Sequence, residues 1–170
     1  MSKPPTFQEA MTISAERIAL WDAGELSDEV LADAVGQLVG HRDGARGFFV
    51  VSLTSDSPLM DRLPETLVMQ LREAGEGVVD LTARNLAMST AMALHHERQQ
   101  DQTMREGSLK VQARSLDLLK QLEANLVKEK LEKLIAGLEG KGEEKDFYDR
   151  WNYDEEQRGA IKKSLLAVAS

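Results

Sequence analysis

Three neighbouring residues, His95, His96 and Glu97, are the part of this sequence best suited to holding a metal ion. Imidazole is the commonest neutral ligand, and a carboxylate could add to the set. The spacing opposes that chemistry. Adjacent side chains on an α-helix point about 100° apart, whereas helical ligand pairs sit three or four residues apart so that both reach one ion. The triplet therefore reads better as an ordinary helix end with one imidazole packed and the other solvated, and neither a metal nor a cofactor is expected.

Three other groups could bind rather than react. Asn85, Ser89 and His96 share one flank of the apolar stretch Val78–Arg98, with Thr82 nearby. Together with Met88 and Met92 they could line a small-molecule pocket, although buried polar groups more often bond to neighbouring backbone and fix helix register. The segment HRDGARG, His41 to Gly47, offers Arg42 and Arg46 to an anion, but it lacks the spacing of a phosphate-cradling loop. Gly44 and Gly47 read as turn formers there. Finally, Phe147, Tyr148, Trp151 and Tyr153 lie among acids in EEKDFYDRWNYDEE, residues 143–156. They either fold over the core as a lid, with Phe147, Trp151 and one tyrosine inward, or expose Tyr148, Trp151 and Tyr153 as an anchor for a basic protein partner. The lid is the preferred reading.

No catalytic set accompanies these groups. The sequence contains neither GxSxG nor HExxH nor a calcium-loop pattern, and it has no cysteine. A non-enzymatic interaction or regulatory protein is the leading reading; a small-molecule or metal-binding helical protein using the polar flank is the alternative. A net charge of −8 disfavours nucleic acid and anionic membrane surfaces as partners. Zero cysteines, and no apolar segment after MSKPPTFQEA, point to a reducing cytoplasm.

The elements that must position these residues are helical. A capping box from Thr6 to Glu9 opens an amphipathic helix with Phe7, Met11, Ile18 and Trp21 on one face, and Ser27 caps a second that Gly40 stops. The run Phe48–Leu53 is ambiguous between a short extended segment and a buried helical turn, because no second strand-like run exists to pair with it. Ser57 and Pro58 start a short helix. Val78–Arg98 is apolar on opposite sides and belongs at the centre of a bundle, while its uncharged run, Asn85 to Leu94, is too short to cross a membrane. A reversal is expected near Gly107, then one long helix from Ser108 to Leu138. That helix carries two apolar stripes, more than one 170-residue bundle is expected to cover, so self-association as a homodimer is expected. The acidic aromatic linker 143–156 precedes a last helix capped by Asp154 with Gln157. The expected fold is a single all-α domain over 1–170, a bundle of about six helices around a buried central one.

Overall fold

The computed structural model describes residues 3–169 and is all-helical, with no strand among the described residues. The elements are α1 (Phe7–Asp22), α2 (Asp28–Val39), α3 (Arg42–Thr54), a 3-10 turn (Pro58–Asp61), α4 (Glu65–Glu73), α5 (Glu76–Arg98), α6 (Gln102–Leu119), α7 (Ala124–Leu138), α8 (Lys145–Trp151) and α9 (Glu155–Val168). The all-α class stands, but among the described residues nine α-helices replace the expected six or so. The chain divides into two compact units, Met1–Leu81 and Thr82–Ser170, and the division falls within α5.

In the first unit the caps sit where the sequence puts them. Thr6 accepts from the Glu9 amide at 3.1 Å while Glu9 accepts from the Thr6 amide at 3.0 Å, completing the capping box. Ser27 caps α2, and Ser57 caps the 3-10 turn with Pro58 in its first turn. Helix α1 packs on α3, and α2 packs on α3 and α4. The core between them includes Ile18, Leu31, Val35, Phe48, Phe49, Leu53, Leu67 and Leu71. Each large apolar side chain buried there contributes about 1.5–3 kcal/mol.

Phe48–Leu53 is helical, not extended: it forms the body of α3. The glycines that look like turn formers make that helix fit. A Cβ on Gly47 would stand 2.6 Å from the Ala10 Cβ and 2.9 Å from the Phe7 carbonyl oxygen, so α1 and α3 approach as closely as they do only because the side chain is absent. Gly44 lies tighter still against the Leu38 carbonyl. Phe48 and Phe49, adjacent on α3, meet edge-on with centroids 5.2 Å apart, and both are fully buried.

In the second unit three expected boundaries move. The reversal comes at Gln100, not near Gly107: Gln100 takes a left-handed φ of 58° and Asp101 caps α6 by accepting from the Met104 amide. Gly107 lies inside α6 with open space beside it, so nothing there forces a stop. The single helix from Ser108 to Leu138 is two, α6 and α7. Glu123 starts the second by accepting from the amides of Asn125 and Leu126 at 3.1 and 2.9 Å, which satisfies donors a new helix leaves open. The linker 143–156 contains α8, which ends at Asn152 in the left-handed conformation, φ 51°. Asp154 and Gln157 then form a second capping box at the start of α9. Helices α8 and α9 both pack on α7, and α9 also packs on α6.

Candidate functional site

The anion-binding segment is already occupied by its own chain. Arg42 sits in the first turn of α3 and donates to Asp80 at 2.8 Å; Arg46 donates to Asp43 and lies over the Phe7 ring, 4.8 Å from its centroid. Its glycines are committed to helix packing. What looks like a phosphate loop is the front of a buried helix.

The flank of α5 is partly local in its bonding. The Ser89 hydroxyl donates to the Leu86 carbonyl, while Asn85 and His96 are half-buried on the same face. The polar seam that does cross between helices runs through residues one position away. The Thr90 and Ser164 hydroxyls hydrogen-bond at 3.0 Å, Gln112 donates to Ser164 at 3.1 Å, and Gln157 donates to the Ala91 carbonyl at 3.2 Å. It ties α5, α6 and α9 together and sets their register. The Met92 side chain, expected inside, is exposed. His95 and His96 stack edge-on with centroids 5.4 Å apart, and no group of three metal-ligating side chains occurs among the described residues.

The aromatic segment divides differently from the expected lid. Phe147, Tyr148 and Tyr153 are buried, and Trp151, expected inward, is 48% exposed. Phe147 and Tyr148 lie against the cationic residues of the unit: the Arg84 guanidinium lies 4.8 Å above the Phe147 ring and that of Arg158 lies 5.8 Å above Tyr148. Between them Glu144 accepts from Arg84 and from Lys130, each at 2.7 Å, and so pins the start of α8 to α5 and α7. The Tyr148 hydroxyl is fully buried with no hydrogen-bond partner among the described residues, and burial pushes its phenol well above the ordinary value. Burial likewise pushes Tyr153 up to about 12. Both tyrosines are thus core residues, and only Trp151 of the proposed anchor faces solvent. At the outer end of the unit Arg98 donates to Asp154 at 2.7 Å and to Glu156 at 2.8 Å; its hydrogen bond, and then the Gln157 amide, hold the Asp154 carboxyl below its usual range.

A feature that no motif announced lies on the other side of α7. The end of α6, the face of α7 and the end of α9 enclose an open crevice of about 410 Å³. Leu119, Leu122, Val127, Leu131, Leu165 and Val168, all buried, form its walls; Leu166, at the edge, is 51% exposed. Three charged side chains, Lys120, Lys128 and Glu132, stand around it, and none of them is in an ion pair among the described residues. The apolar excess of the Ser108–Leu138 stretch is the sequence signal for this groove: Leu119, Leu122, Val127 and Leu131 all belong to its two stripes. What the sequence hid is that α9 comes alongside to deepen it. The arrangement offers apolar area and a charged rim. It offers no nucleophile, paired acid and base, or metal set.

A family model described as "Uncharacterised conserved protein UCP020893" matches residues 6–168, nearly the whole chain. No curated protein and no solved structure matches the chain.

Proposed function

We propose that this chain, which belongs to that family of uncharacterised conserved proteins, works without catalysis as a docking protein that seats an amphipathic helix in the groove along α7 and α9. The observation that carries the reading is the groove itself: an open apolar crevice bordered by charges that have no ion-pair partner among the described residues. Helices that lie in such grooves bury anchor side chains at helical spacing while their flanks meet the rim. Trp151, exposed nearby in sequence but on α8, adds area for a partner outside the groove. The absence of cysteine fits a reducing compartment, and we place the protein in the cytoplasm on that basis.

The reading is tested by titrating leucine-bearing amphipathic helical peptides, with a scrambled control, into the isotope-labelled full chain and following its amide resonances. Saturable shifts confined to α7, α9 and the end of α6 are expected. Shifts clustered around Asn85, Ser89 and His96, or none from any helical peptide while a short fatty acid shifts the groove, would overturn it in favour of a small-molecule site.

A further inference from the structure

We propose that the first unit carries a separate binding site for an arginine side chain of a basic partner segment, its guanidinium stacked on Trp21 and held by Asp28. The site stands independently of the groove reading above.

The end of α1, the start of α2 and the 3-10 turn before α4 enclose an open pocket of about 590 Å³. Half-buried Trp21 lines it from α1, and Pro58, Leu63 and Pro64 line it from the turn. Two hydrogen bonds fix its shape. Trp21 Nε1 donates to Asp28 Oδ1 at 2.7 Å and fastens α1 to α2, while the Ser57 hydroxyl donates to Asp22 Oδ1 at 2.8 Å and fastens the turn to α1. The two prolines stiffen the turn further.

The indole is suited to a cation from outside the chain. Trp is the best cation–π acceptor among the aromatic side chains. Elsewhere the chain lays its own arginines over rings: Arg46 over Phe7 and Arg84 over Phe147, each at 4.8 Å, and Arg158 over Tyr148 at 5.8 Å. No cation of the described residues lies over Trp21. The 2.7 Å bond also holds the Asp28 carboxylate at the Nε1 edge of the ring, and its Oδ2 has no hydrogen bond among the described residues. A flat cation on the indole face near that edge can therefore donate to Oδ2, and Asp61 adds negative charge from the turn. A guanidinium meets these demands better than an ammonium, because it is planar, stacks on aromatic faces and donates in a fork. Its aliphatic stem can lie along Pro58, Leu63 and Pro64.

The charge around the pocket selects a peptide over a small cation. Residues 21–30 and 57–66 hold six acids, Asp22, Glu25, Asp28, Glu29, Asp61 and Glu65, against the single base Arg62. Asp22, Glu25, Glu29 and Glu65 are exposed, have no ion pair among the described residues and lie outside the pocket lining. One small cation cannot reach them, whereas a segment with further basic residues can.

Titrating a peptide of arginine and glycine into the isotope-labelled full chain tests this, read at the Trp21 indole N–H, which Trp151→Phe distinguishes from the other tryptophan. Saturable shifts at that resonance and at the amides of residues 59–63 are expected, and the same peptide with citrulline for arginine should bind at least about tenfold more weakly. Asp28→Asn keeps an oxygen for the indole N–H and removes the charge; with helix content unchanged by circular dichroism, affinity should fall at least about tenfold. Glu106→Gln, in the second unit, changes the net charge equally and should leave affinity unchanged. Absence of the shifts, equal binding by the citrulline peptide, an Asp28→Asn chain that binds as the parent does, or an equal loss in Glu106→Gln would each overturn the site. N-acetylarginine amide binding as tightly as the peptide would overturn a partner segment as its source.

Discussion

Replacing Glu144 by alanine removes the acceptor shared by Arg84 and Lys130, and the structure sets the size of the effect. The side chains of Glu144, Lys130 and Arg84 are 9, 15 and 25% exposed. Breaking a buried ion pair by deleting one partner costs about 3–5 kcal/mol, because the remaining charge keeps its desolvation and loses its counter-charge. Arg84 retains some water and its place over Phe147, so the lower end, about 3 kcal/mol, is expected. With a urea slope of about 2 kcal/mol per molar, the unfolding midpoint should fall by about 1.5 M. Lys130→Met leaves Glu144 bound to Arg84 and should cost only about 1 kcal/mol. The double variant should cost less than the two singles summed, since both remove parts of one network. Equilibrium urea unfolding followed by helix circular dichroism reads all three. A Glu144→Ala midpoint equal to that of the parent chain, or strictly additive losses, would refute the view that this triad fastens α8.

Trp151→Ala should cost less than about 1 kcal/mol, as for an exposed side chain, whereas a loss near the 3 kcal/mol of a buried one would restore the lid with tryptophan inward. Tyr148→Phe removes a hydroxyl with no partner and should be neutral or stabilising by up to about 1 kcal/mol; a lower urea midpoint would mean the hydroxyl is bonded after all. Tyr148 and Tyr153 are the only tyrosines, and burial raises both above the ordinary phenol value of 10.0. The stability gained by keeping them neutral is therefore complete below pH 10 and lost as pH rises through about 12 for Tyr153. Tyrosinate absorbance should appear only together with loss of helix signal, and its appearance near pH 10 in a fully helical sample would contradict their burial. Asp154 titrates below its usual 3.8, so the Arg98 link and the α9 cap persist above that value and are lost as pH falls beneath it. Protection factors of the amides in the first turn of α9, taken against the intrinsic exchange rate at each pH, should fall there and stay flat between pH 5 and 7.

The helix ends that carry their own chemistry were readable from the sequence: Thr6 with Glu9, Ser27, Ser57 before Pro58, and Asp154 with Gln157 each cap a helix or 3-10 turn by a side-chain bond the sequence pattern specifies. The starts at Asp101 and Glu123 were missed because each follows a break that no glycine marks. Gln100 takes its left-handed turn without one, and Glu123 opens α7 with a carboxylate that equally suits a helix interior. In α3 the error ran the other way. Glycines normally weaken a helix, and only the neighbours Ala10, Phe7 and Leu38, distant in sequence or set by a preceding turn, reveal why they are kept. The groove was half legible. Its α6 and α7 residues formed an apolar excess, while the contribution of Leu165, Leu166 and Val168 depended on how α9 packs.

Those packing glycines bear on how the protein would respond to engineering for heat resistance. Replacing helical glycine by alanine is a routine gain of about 0.5–1 kcal/mol, since it narrows the unfolded ensemble. At Gly77 and Gly107 nothing lies within 4 Å of the added methyl, and the gain should be realised. At Gly47 the same methyl meets Ala10 at 2.6 Å, and at Gly137 it meets the backbone of Glu144 at 2.8 Å, so helices must part to admit it. Overpacking of that kind costs about 1–3 kcal/mol. A uniform glycine-to-alanine design would therefore cancel its own benefit, and melting temperature plotted by position would trace which helices touch.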